Sequence, residues 1–176
     1  MNGAFTTSVP ILHTDRLILR EYRREDFDAF AAHCADPVSA AYIGVVERQA
    51  AWRIFCSQAG MWLLDGAGWW SVEERESGRL VGSVGAFFRE ESKVMELGWN
   101  TYRACWGQGF AHEAAAALLH HAFEVRREST VRALIDPGNA SSLRVAGRLG
   151  LTYEADVALY GKAVGMYTRE RGAALV

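Results

Sequence analysis

Two glycines in the run Trp106-Gly107-Gln108-Gly109-Phe110-Ala111 stand where chemistry could start. The run follows a strand-like segment (93–100) and opens an alanine-rich stretch, GFAHEAAAALLHHAFEVR, with helical spacing over 109–126. The N-terminus of a helix carries unsatisfied N–H groups and the positive end of the helix dipole, so it attracts anions. Glycine at 107 and 109 removes side chains and lets backbone amides wrap a phosphate. Other phosphate and metal signatures are missing. There is no GxxxxGK[ST] and no GxGxxG with a downstream acid. No HExxH or EF-hand loop occurs, and His112, His120 and His121 lack a second ligand cluster, so no metal is expected. Cys34, Cys56 and Cys105 have neither disulfide nor zinc spacing and read as inert packing.

The elements that must position this loop follow from periodicity. Residues 10–21 read as a strand, with Leu17 and Leu19 on one face. Helices follow over 25–36, stopped by Pro37, and over 46–64, ended by Gly66-Ala67-Gly68. A hairpin turns at Glu76-Ser77-Gly78 and returns through Leu80 to Phe88. After the alanine-rich helix comes a strand over 130–135. Asp136-Pro137-Gly138 turns the chain, Asn139 can N-cap a helix over 140–149, and two strands near 151–158 and 163–170 close it. The order β, α, α, β, β, β, α, β, α, β, β implies an α/β fold with a mixed sheet and helices on both faces.

The composition excludes several classes. The chain has 176 residues, 50% hydrophobic and 23% charged, which suits a single domain over 1–176 with a core of its own. Nineteen Lys+Arg against 21 Asp+Glu give a net charge of −2. That balance argues against nucleic acid as a partner and against a polybasic membrane anchor. No apolar run is long enough to span a membrane and the N-terminus lacks a signal-peptide pattern, so a cytoplasmic location is expected. Six Trp, against roughly two for a chain of average composition, call for a use of large flat surfaces.

The segment WGQGFAHEA (106–114) resembles the acyl-CoA pyrophosphate loop of the GNAT N-acetyltransferase superfamily. With Trp106 in place of the usual Gln/Arg, it is similar to the branch containing the ribosomal-protein alanine N-acetyltransferases. TDRLILRE (14–21), SGRLVGSVG (77–85), ELGW (96–99) and DPGNASSLRVAGRLGL (136–151) follow that branch in order. The resemblance implies a GNAT-type fold: a mixed, mostly antiparallel sheet of about seven strands with a splayed central pair. It implies acetyl-CoA as co-substrate, held by the Trp106, Gly107, Gln108, Gly109, Phe110 and Ala111 loop. It implies that pantetheine pairs with the strand at Leu97, Gly98, Trp99 and Asn100 and meets Asn139 and Ser142.

The implied reaction is attack of a primary amine on the thioester. An alkylamine of pKa ~10.4 needs a base near neutrality, whereas an α-amine near ~7.8 needs far less help. Glu96, in a mostly apolar strand where desolvation favours proton uptake, is the expected base; pairing with an arginine is its structural alternative. The tyrosine many members place seven residues after the asparagine is Ala146 here. Ser142 and Tyr167 are the expected proton donors, and the backbone N–H near Trp99 the oxyanion donor. Tyr42, Trp52, Trp62 and Trp69 are expected acceptor-pocket walls. The acceptor is a small-molecule amine or a protein N-terminus, and exposed aromatic surface would suit a homodimer. A non-catalytic acyl-CoA sensor is the alternative, favoured by Ala146.

Overall fold

The computed structural model describes residues 8–90 and 92–173; the first seven residues, read above for a leader pattern, lie outside them. In chain order the elements are β1 (Leu12–His13), β2 (Leu17–Arg20), α1 (Phe27–Ala35), α2 (Arg48–Asp65), β3 (Gly68–Glu74) and β4 (Leu80–Phe87). Then come β5 (Met95–Thr101), α3 (Phe110–His120), β6 (Thr130–Ile135), α4 (Ala140–Arg148), β7 (Thr152–Leu159) and β8 (Lys162–Glu170). The strands form one sheet in the order β1-β2-β3-β4-β5-β6-β8-β7. Every neighbouring pair is antiparallel except β5 and β6. This is the α/β, GNAT-type architecture expected, with an eighth strand. The extra strand arises because residues 10–21 fold as a small hairpin. Thr14 closes its turn, with the Leu17 N–H donating to Thr14 Oγ1 at 2.9 Å.

Strand alternation sorts the sheet into two faces. Cross-strand neighbours Leu19, Val72, Val84 and Leu97 lie on the face covered by α3 and belong to the main core with the fully buried Trp70. Arg20, Ser71 and Ser83 lie on the other face, where the chain enters α1. There Arg20 forks onto the buried Asp26 at 2.8 and 3.0 Å and reaches Glu73 at 2.9 Å, while Ser71 donates to Asp26 at 2.6 Å. Burial pushes Asp26 up, but Arg20, Ser71 and the Arg23 N–H together hold it below the ordinary carboxyl range. A smaller cluster of Phe27, Phe30, Ala31, Cys34, Ala51 and Phe55 fills the space between α1 and α2.

The punctuation read from the sequence sits where backbone geometry requires it. Gly66 ends α2 in the left-handed region at φ 58°, and Asn139 caps α4 by accepting the Ser142 N–H at 3.1 Å. The alanine-rich helix is regular to His120 and continues as a π-helical turn over His121–Val125. The sheet has one irregularity at its centre. The pairing of β5 with β6 is confined to Met95 opposite Val131 and Glu96 opposite Arg132. From Leu97 on, β5 stays registered on β4 as far as Thr101 and departs from β6. The central pair therefore splays.

Candidate active site

The glycine loop is held by three sets of contacts. Gly107 and Gly109 adopt φ of 75° and 81°, a left-handed backbone that side-chain-bearing residues seldom adopt. Gly109 is the N-cap of α3. The N–H groups of Gly107, Gln108 and Gly109 make no backbone hydrogen bond among the described residues. Those of Phe110 and Ala111 sit in the first turn of α3, where no intrahelical acceptor exists. Trp106 anchors the loop's start to the sheet, its indole N–H donating to Thr101 O at 2.7 Å. Arg16 grips the loop from the β1–β2 turn: it donates to Gln108 O at 3.0 Å, pairs with Glu113 at 2.7 Å, and lies 4.7 Å over the Phe110 ring. Glu113 also accepts from Thr14 and from the Arg16 N–H. Although burial pushes Glu113 up, these partners hold it below the ordinary carboxyl range.

This loop forms one wall of a cavity of about 620 Å³. The opposite wall is α4, with Asn139, Ser141 and Ser142 at its start and Arg144 and Arg148 beyond. The far end of β5 (Trp99, Asn100 and Thr101) forms the floor. Trp99 donates its indole N–H to Ser142 Oγ at 3.3 Å, joining floor to wall. That contact uses one lone pair of the hydroxyl and leaves its proton free to donate into the cavity. Asn139 Oδ1 is taken up by Ser141 and by the Ser142 N–H, so its NH₂ is the part left for a ligand. His33 on α1 and the loop residues Val38, Ser39, Tyr42 and Ile43 complete the mouth. Tyr42 donates to Gly138 O at 2.9 Å, tying this loop to the turn before α4. The lining includes His33, His112, Arg144 and Arg148 but neither Asp nor Glu, which suits an anionic ligand.

Several expected site residues lie elsewhere. Glu96 is buried and gives both carboxylate oxygens to Arg89 at 2.7 and 2.6 Å, with Arg132 at 3.5 Å. Its hydrogen bonds hold the Arg89 guanidinium still more firmly charged. Each of its oxygens is engaged in the ion pair, and it does not line the cavity. Tyr167 packs edge-on against Tyr153 at 5.7 Å and covers Gly165, also away from the cavity. Leu97 points into the main core, and Gly98 lies beneath the Trp69 ring, where a Cβ would come within 2.8 Å of it. Of the expected pantetheine quartet, Trp99 and Asn100 face the cavity. Gln108 turns back to Ala104 O at 3.4 Å. Trp62 is core, set edge-on to Trp70 at 4.5 Å. Trp69 stacks on Phe87 at 5.4 Å, and Trp52 packs on Phe27 and Phe55 in the cluster between α1 and α2. Of the four expected walls, Tyr42 is the one that lines the cavity.

The sequence reading missed the Arg16–Glu113 clasp, His33 and the α4 pair Arg144 and Arg148. A signal for the last existed: Arg144 and Arg148 are four apart, so they share one helix face. Nothing local signals the clasp, whose members are 97 residues apart. Cys105 also lines the cavity; burial pushes its thiol up, which keeps it from being a ready nucleophile.

A family model described as an acetyltransferase (GNAT) domain matches residues 16–152. The uncharacterized protein YkkB of Bacillus subtilis (strain 168) is 36% identical over 107 residues. That alignment covers 60% of this chain and 62% of YkkB, just under two thirds of the relative. The crystal structure of an acetyltransferase from Agrobacterium tumefaciens str. C58 superposes with a TM-score of 0.86 at 29% identity, covering 97% of this chain and 100% of that one. RimL, a ribosomal L7/L12 alpha-N-protein acetyltransferase solved with coenzyme A, shares the fold at a TM-score of 0.73 and 17% identity, covering 94% of this chain and 99% of that one.

Proposed function

Since the chain belongs to the acetyltransferase (GNAT) family, we propose that it transfers the acetyl group of acetyl-CoA to a primary amine, on a protein N-terminus or a small molecule. The supporting observation is a convergence. The edge of β5 freed beyond Glu96 and the left-handed glycine loop open on the same cavity, one offering strand amides and the other helix-terminal amides.

The parts fit the co-substrate segment by segment. The Gly107 to Ala111 amides receive the pyrophosphate, where the positive end of α3 and close backbone approach favour it. Arg144 and Arg148 supply positive charge on the facing wall. The β5 edge at Trp99 and Asn100 pairs with the pantetheine amides as an added strand. Asn139 turns its free NH₂ to the same arm while capping α4. The backbone N–H near Trp99 serves the developing oxyanion. Ser142 donates its hydroxyl proton to the departing sulfur, oriented for this by the Trp99 indole.

Calorimetry with CoA and thiol release from acetyl-CoA across an amine panel test the reading. CoA should bind, Trp99 and Trp106 fluorescence should change with it, and at least one amine should be acetylated. Absence of CoA binding would sink the proposal; binding without turnover on any amine would favour a sensor.

A further inference from the structure

Resting on the acetyl-transfer reading, we infer that His33 is the general base of the reaction, taking the proton of the attacking amine. His33 is on α1, is 7% exposed, and lines the cavity. Neither Nδ1 nor Nε2 has a hydrogen-bond partner among the described residues. A buried polar group without a partner is costly, so a group left this way in a cavity wall calls for a ligand that completes it. His33 sits beside Tyr102, the residue that follows β5, and shares the cavity lining with Val38, Ser39, Tyr42, Ile43 and Trp99.

The surroundings keep the imidazole neutral and accepting. Burial pulls His33 below the ordinary histidine range, against the attraction of Asp36. Asp36 is engaged by Ser39, the Val38 N–H and Arg103, so it does not grip the imidazole. From the β5 side the group facing it is Tyr102, with ring centroids 5.3 Å apart; burial pushes that phenol up, so it stays uncharged at neutral pH. Cys105, His112, Arg144 and Arg148 are the other titratable groups on the cavity walls. Glu96, by contrast, has both oxygens committed to Arg89.

The step balances. The neutral amine attacks the carbonyl carbon, its N–C bond forms, and the nitrogen becomes positive. His33 takes one proton from that nitrogen. The C–S bond breaks, the electron pair leaves on sulfur, Ser142 gives its hydroxyl proton to that sulfur, and the proton held by the imidazolium returns to Ser142 through solvent. The sum is amine plus acetyl-CoA giving amide plus CoA.

The test uses the full chain, acetyl-CoA and a panel of peptides beginning with Ala or Ser together with simple alkyl and aryl amines. His33→Asn and His33→Ala should lower kcat roughly 100-fold on any amine the native protein uses, with CoA affinity within twofold. The native kcat/KM profile should fall more steeply at low pH than protonation of the amine alone requires, and that extra fall should be gone in both variants. Added imidazole should restore part of the His33→Ala rate, which a merely structural role would not allow. The His33 ring resonances, identified by their loss in His33→Asn, should titrate below the ordinary histidine range and move on adding CoA. Native turnover with undiminished variants, or an unchanged pH limb, overturns the base and leaves the transferase standing. No native turnover on any amine overturns both.

Discussion

The α3 and α1 sides of the cavity are built by opposite means. The α3 wall is made of backbone: two left-handed glycines, a helix terminus and a clasp from Arg16 that holds the loop from behind. The α1 wall is made of side chains. Its helices rest on an aromatic cluster and on the buried Arg20–Asp26 pair, and what it shows the cavity is an imidazole and a loop tethered by Tyr42. Backbone geometry gives a ligand subsite that tolerates sequence change around it but not at the glycines. If the proposed reaction holds, side-chain construction lets the acceptor side vary while the acetyl-CoA side stays fixed. Damage to the α1 wall should then read out as lost stability, and damage to the α3 wall as lost CoA affinity.

The sharpest separation should come from Asp26→Ala. It strands the buried Arg20 guanidinium, and breaking such a pair costs about 3–5 kcal/mol. Thermal melts should fall by roughly 6–20 °C at ~2–4 °C per kcal/mol, while the CoA Kd measured below the melt stays near native. A tenfold loss of CoA affinity would break the division. The sign of its pH dependence is fixed. With its folded pKa below the unfolded one, Asp26 contributes fully above about pH 3.9 and loses its contribution as pH falls through the folded value. Next in size is Gly109→Val, which puts a β-branched residue at φ 81° in the amide cradle. Strain of about 1–2 kcal/mol and blocked approach should together weaken CoA roughly 100-fold. Circular dichroism should remain native, and calorimetry reads the affinity.

Glu113→Gln should act more gently. The loop loses ionic grip from behind, and CoA binding should weaken roughly fivefold, the worth of about one hydrogen bond. Glu113 is held below the ordinary range, so in the native protein this contribution is present above about pH 4.3 and lost on acidification through the folded value. The variant's affinity should lack that acid limb. Smallest of all, Trp52→Ala should leave kcat/KM and CoA Kd within twofold, although the melt shifts downward through lost packing on Phe27 and Phe55. A large activity loss there would place Trp52 in the acceptor pocket after all.

This division also explains what could be read from the residues alone. The α3 wall was legible because its signal is local. A strand, two glycines and an alanine-rich helix occupy one stretch, and Trp106 anchors the loop as its position suggested. The α4 cap at Asn139 was legible for the same reason. The α1 wall was not. Helical spacing puts Trp62 on a buried stripe but does not tell against what; it meets Trp70 of β3, and the partly buried Trp52 meets Phe27 of α1. For Glu96 the residues left a base and an arginine pair both open, and the chain after β4 supplies the pair with Arg89. His33 carried no mark at all. It is one polar residue in α1, and its lack of a partner is a property of the folded neighbourhood.

The splay of β5 from β6 has a consequence for heat tolerance. A sheet that stops pairing at Glu96 and Arg132 is an incomplete ladder, and a pantetheine arm lying along the freed edge would supply the missing rung. A molecule that binds the folded chain alone at 100 times its Kd adds about 2.7 kcal/mol. For a chain of this length that is roughly 5–11 °C of melting temperature. The coenzyme pool around the protein would then set how long it survives warming, so scarcity of the acyl donor would thin out the catalyst as well as starve it.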